Sequence, residues 1–223
     1  MIDPLNSFDW HSLHDKYDAR CPQFDKSSPH LDVFGSERPP TDRATYYRLI
    51  AAFAENRGAW GNQAIAFYEA MLYWKLYSQG QKNPLIWQHF ERSGSLRQAA
   101  QERFSLLLQH LPTSLKRSPE AIVEAIKLIG DFQIPGMKSA TALPVRTTFL
   151  HFVYPSVVPI FDKMVLQAVG VRETNANQKI SVFKNYLPFA WELADRYTHT
   201  ATVFDNESDV RVIDMALWVG RGN

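Results

Sequence analysis

Residues 131–142 read DFQIPGMKSATA, a proline and a glycine side by side between two segments of helical pattern. Upstream, Ser118 stands as an N-cap, Pro119 at the first helical position and Glu120 in the first turn, followed by the apolar stripe Ile122, Ala125, Ile126 and Ile129. That helix must end before Pro135, because a proline ring pushes the preceding residue out of the helical region. Downstream, Ser139 can cap a second helix over TALPVRTTFLHFVY, with Pro144 near its first turn, where a missing amide costs little. A Pro-Gly junction of this kind is either plain punctuation or a device for holding an anion. On the second reading Gly136 lets the backbone approach a partner closely, and the amides of residues 136–140 point out of a helix start, where partial positive charge gathers. With Lys138, Arg146, Lys116 and Arg117 close in sequence, a DNA phosphate is one anion that fits.

Outward from this junction the pattern stays helical. Residues 41–58, TDRATYYRLIAAFAENRG, carry a cap at Thr41 or Asp42, apolar positions at Tyr46, Leu49, Ile50 and Phe53, and Gly58 as a stop. Residues 62–80 are apolar on most faces, which marks a central helix ending at Gly80. After a loop at Lys82–Pro84, residues 95–112 form a further helix stopped by Pro112. Beyond the junction, Pro155 and Pro159 frame an extended connector, VYPSVVPIFD, and Asp162 caps DKMVLQAVG, which closes at Gly170. Helices over about 177–197 and 208–219 complete the chain. Residues 1–40, rich in turn formers, read as an N-terminal arm over the surface with one short helix, and 41–223 as a single helical domain. No alternating strand pattern, internal repeat or low-complexity tract appears. The expected class is all-α.

Composition excludes several functions. A chain of 223 residues with 45% apolar residues expects a packed globule. The formal charge of +1 means that any nucleic-acid site is a local patch rather than a global field. One cysteine, Cys21, excludes an intramolecular disulfide and a four-cysteine metal or iron–sulfur site. The first residues, MIDPLNSFDWHSLHDKY, lack the apolar core of a signal peptide, and no stretch of eighteen apolar residues occurs. The expectation is a cytoplasmic protein without a membrane contact.

IPGMKSATA resembles the hairpin of the helix-hairpin-helix superfamily of base-excision DNA glycosylases: an apolar residue, Pro, Gly, an apolar residue, Gly, two variable residues, a small or polar residue and Ala. VPIFDKMV is similar to that family's connector ending in the catalytic aspartate, and Pro159, Ile160, Asp162 and Val165 match the form in the adenine-excising branch of the 8-oxoguanine/adenine glycosylase fold. The two motifs span about Ser118 to Gly170, in the family's order and near its spacing. The resemblance implies two interleaved helical lobes, with the hairpin and Asp162 at the mouth of the cleft between them. It implies duplex DNA as partner, no cofactor and a monomer. It assigns DNA contacts to Ile134, Pro135, Gly136, Met137, Lys138, Ser139, Arg146 and Lys163, and catalysis to Asp162. The family's second hairpin glycine is Lys138 here, and Ala140 stands where bifunctional members carry a Schiff-base lysine, so a monofunctional reaction is implied.

Two readings of Asp162 stand side by side. A carboxylate beside the sugar stabilises an oxocarbenium-like state and orients or deprotonates water; an aspartate before an apolar helix also caps it, accepting from the amides of Met164 or Val165. Lys138 and Lys163 are the nearby amines that could replace the missing lyase nucleophile, a role that needs burial or cationic neighbours. An extruded base stacks on aromatic side chains, for which Tyr46, Tyr47, Trp60, Tyr68, Tyr73, Trp74, Trp87 and Trp218 are candidates, although aromatics at helical spacing also build cores. Asp214 and Trp218 share a face of the last helix, as a closing core helix with one buried polar group would. His11 and His14 form an HxxH in the arm, read as solvated rather than metal-binding. The expected function is hydrolysis of the N-glycosidic bond of an altered base; the alternative is a non-catalytic DNA-binding or interaction module of the same fold.

Overall fold

The computed structural model of the protein describes residues 1–55, 63–79, 94–201 and 207–220. All regular structure among them is helical: α1 (Leu13–Ala19), α2 (Asp42–Glu55), α3 (Ala64–Leu76), α4 (Gly94–His110), α5 (Pro119–Asp131), α6 (Leu143–Val153), α7 (Lys163–Ala168), α8 (Ile180–Ala201) and α9 (Asp209–Gly220), with short 3-10 turns between them. Gly58, Trp60, Gly80, the Lys82–Pro84 loop and Trp87 lie outside the described residues. The chain divides into two units. The first comprises Met1–Arg20, Ser114–Ile126 and Ala140–Asn223, the second Cys21–Thr113 and Lys127–Ser139.

The second unit is organised by α3, in which Tyr68, Ala70, Met71 and Leu72 are fully buried. A helix apolar on most faces needs neighbours on several sides, and α2, α4 and the 3-10 turn Pro29–Phe34 supply them. Thr41 proves to be the cap of α2, its Oγ1 accepting from the Ala44 amide at 3.1 Å. In the first unit the organising helix is α9, buried from Val210 through Leu217 and packed against α1, α7 and α8. Ser208 caps it, accepting from the Arg211 amide.

Two expectations change. Residues 1–40 hold α1 and two 3-10 turns rather than one short helix, and they bury Leu5, Leu13 and Leu31. They are also divided at Arg20 between the units. The helix after the Pro-Gly junction does not start behind Ser139: α6 begins at Leu143 with Ala142 at the N-cap, which makes no side-chain cap bond. The reason is Pro144. Had the helix begun at Ala140, the proline would have sat in its second turn, where it lacks the amide for an i−4 bond and its ring clashes with that carbonyl. Beginning at Leu143 places Pro144 in the first turn, where its lack of an amide is harmless.

Candidate functional site

The Pro-Gly junction lies in the second unit. Helix α5 ends at Asp131, and two residues on Gln133 takes the left-handed backbone (φ 53°) and turns its side-chain amide back to donate to the Gly130 carbonyl at 2.8 Å. Ile134–Met137 then forms a type II β-turn: the Met137 amide donates to the Ile134 carbonyl at 2.9 Å, Pro135 occupies the second position and Gly136 the third, with φ +83°. Ile134 and Met137 are fully buried, while Lys138 and Ser139 are exposed. The turn is pinned to α3 by Tyr68, whose Oη donates to the Pro135 carbonyl at 2.6 Å. A Cβ on Gly136 would come within 3.1 Å of that oxygen and 3.5 Å of Leu72. The close approach that Gly136 permits is therefore to its own α3, on the side where the missing Cβ would lie. Burial pushes the Tyr68 phenol well above its ordinary value. The amides of residues 136–140 belong to this turn and the bend after it, not to a helix start.

In the first unit the connector Tyr154–Asp162 is neither helix nor strand, and Val158–Phe161 are buried. Irregular buried backbone must find partners for its polar groups, and side chains provide them here. Ser208 Oγ donates to the Pro155 carbonyl at 2.8 Å, Trp191 Nε1 to that of Val157 at 2.7 Å and His151 Nδ1 to that of Val158 at 2.7 Å. The Phe161 amide donates to Thr147 Oγ1 at 3.2 Å. This cross-bracing from α6, α8 and the start of α9 sets the exit of the connector, and with it Asp162. Asp162 caps α7: extended at φ −139°, ψ 177°, its Oδ1 accepts from the amides of Met164 at 2.9 Å and Val165 at 3.0 Å. Helix α7 closes with Gly170 at φ +80°, the Val171 amide reaching the Leu166 carbonyl as in a Schellman motif.

Helix α9, which packs against α7, carries a polar cluster that sequence reasoning resolved only in part. Asp214 is buried and accepts from Arg211 Nη1 at 2.5 Å, while Arg211 Nη2 donates to Tyr17 Oη at 2.9 Å. The buried polar group expected on α9 is thus half of an ion pair three residues apart. Tyr186 on α8 was missed altogether. It is fully buried, its ring lies 5.5 Å from that of Phe161, and its Oη has no hydrogen-bond partner among the described residues. Burial, then the charges of Asp214 and Asp162, push its phenol well above the ordinary value. The available signal was a tyrosine three residues after Phe183 on the apolar face of α8, a polar tip in a buried stripe.

The remaining candidates divide by exposure. Lys138 and Lys163 are exposed, without the burial that primes a Schiff-base lysine. Arg146 is buried and donates to the Ile126 carbonyl at 3.2 Å, turned into the first unit rather than standing on its surface. Lys116 is exposed, and Arg117 pairs with Asp195 at 2.6 Å. Of the aromatics, Tyr46, Tyr68, Tyr73 and Trp74 are core residues of the second unit, and Trp218 packs on Tyr17 in the first. His14 lies 3.3 Å from Glu207. Among the described residues no cluster of histidine, cysteine and carboxylate side chains is arranged to hold a metal ion, and no helix is long and apolar enough to cross a membrane. The turn residues Ile134–Ser139 fall in the second unit, and Asp162, Lys163 and Arg146 in the first. Comparison of the chain with protein-family models, with curated proteins and with solved structures gives no match.

Proposed function

We propose that the protein binds double-stranded DNA and removes an altered base by hydrolysis, with Asp162 as the catalytic carboxylate and no covalent lysine. The observation that carries this reading is the placement of Asp162. A buried, cross-braced connector delivers it half-exposed at the head of α7, with backbone amides fixing Oδ1. A carboxylate fixed in this way stabilises the positive charge that develops on the sugar. The C1′–N bond breaks with its electron pair leaving on the base, which takes up a proton. Water adds its oxygen to C1′ and yields its proton to Asp162, so that one water is consumed per base released. The turn at Ile134–Met137 supports the DNA half of the reading by presenting Lys138 and Ser139 to solvent beside rigid backbone, a phosphate contact that positions without reading sequence.

A second reading, a non-catalytic DNA-binding module, is favoured by the cap itself. Two of the amides at the head of α7, those of Met164 and Val165, are satisfied by Asp162, which gives that residue a structural role. Asp162→Asn separates the two. Asparagine caps as well as aspartate does but carries no charge, so under the catalytic reading excision is lost while folding is kept.

A further inference from the structure

Tyr186 is the one described tyrosine whose Oη is both buried and without a hydrogen bond among the described residues. A stranded phenol is costly, and in native proteins such groups are commonly completed by a buried water that bonds two to four polar neighbours. The neighbours are at hand within the first unit. Helix α9, carrying Asp214, packs against both α7, which Asp162 caps, and α8, which carries Tyr186. The Tyr186 ring lies against Phe161, the residue before Asp162. The electrostatic influence of both carboxylates on the phenol agrees with this geometry.

We propose that Tyr186 Oη holds an ordered water against the carboxylates of Asp162 and Asp214, and that Tyr186 is a positioning residue for the water that Asp162 activates. The second part rests on the base-excision reading above. The phenol donates, which leaves the water a lone pair to direct at C1′ and a proton to pass to Asp162, while the bond from Arg211 Nη1 holds the Asp214 carboxylate in place as an acceptor.

Tyr186→Phe removes one oxygen and keeps the ring against Phe161. A high-resolution crystal structure of the wild type is expected to show a water bonded to Tyr186 Oη and at least one of the two carboxylates, gone in the variant. The midpoint of thermal unfolding is expected to fall. On a duplex that the wild type cleaves, kcat should drop about tenfold with KM and duplex affinity unchanged, as for a misplaced reactant. A dry Tyr186 Oη, or one bonded directly to protein, together with a midpoint that rises on removing an unpaired oxygen, would overturn the proposal. A bound water with unchanged kcat overturns the positioning role and leaves base excision standing. If the wild type cleaves no duplex, the base-excision reading and the positioning role fall together, and density and midpoint still decide the water.

Discussion

Tyr68 in the second unit and Tyr186 in the first are both fully enclosed, and in both burial drives the phenol upward, yet their surroundings differ in kind. Tyr68 is complete: it donates to the Pro135 carbonyl and closes a type II turn whose glycine could not carry a side chain without meeting it. The Tyr186 phenol is raised by burial and also by the charges of Asp214 and Asp162, and its oxygen has no hydrogen-bond partner among the described residues. The first corner satisfies the rules of a stable interior, whereas the second departs from them, and such departures collect where something besides folding uses the groups.

The largest test of this contrast is Asp214→Ala, which takes from the buried Arg211 guanidinium the carboxylate it pairs with; stability in urea should fall by about 3–5 kcal/mol. Replacing both partners by apolar residues of similar size should recover most of that loss, which would show that the pair is not kept for stability alone. On the neutral side, Tyr68→Phe deprives the Pro135 carbonyl of its donor and should cost about 1–3 kcal/mol. Gly136→Ala should cost at least about 1–2 kcal/mol from its positive φ, and more where the new Cβ meets Tyr68 Oη.

Alkali probes both phenols at once. Each is held neutral by burial above its unfolded value of about 10. Its contribution is therefore complete below that pH and is lost as pH rises toward the folded value, by about 1.4 kcal/mol per pH unit for each phenol. Denaturant melts above pH 10 should show that slope, and Tyr68→Phe should reduce it by one phenol's share. Asp162→Ala should destabilise by about 1 kcal/mol through the lost cap, against near-native stability for Asp162→Asn. The smallest effect belongs to Lys138→Ala, which should lower the slope of log affinity against log salt for duplex DNA by about 1 and leave the melting temperature unchanged.

Most helices were legible because their signals are local. Ser118-Pro119-Glu120 announced α5, Thr41 or Asp42 announced α2, and the apolar character of residues 62–80 on most faces announced a central helix. The start of α6 was misjudged because Ser139 offered a good cap while Pro144 imposed a stronger constraint four residues beyond the first position that cap allows. At the candidate site the cap role of Asp162 was readable from its place before an apolar run. Its bracing was not, because Thr147, His151, Trp191 and Ser208 reach the connector from three different helices, and such pairings leave no periodic trace in the chain. Tyr186 escaped for the opposite reason: a tyrosine in an apolar stripe looks like core until its hydroxyl is followed and no partner is found among the described residues. The inward turn of Arg146 was equally invisible, since a basic residue near a turn reads as a surface cation.

The most direct measurement compares wild type and Asp162→Asn on a panel of duplexes that each hold one modified or mismatched base, with alkali added afterwards to cut abasic sites. The account predicts alkali-dependent cleavage of at least one duplex by the wild type, lost in Asp162→Asn while its melting temperature and duplex affinity stay at wild-type values. Undiminished cleavage by Asp162→Asn, or salt-dependent binding by the wild type with no cleavage across the panel, would contradict it.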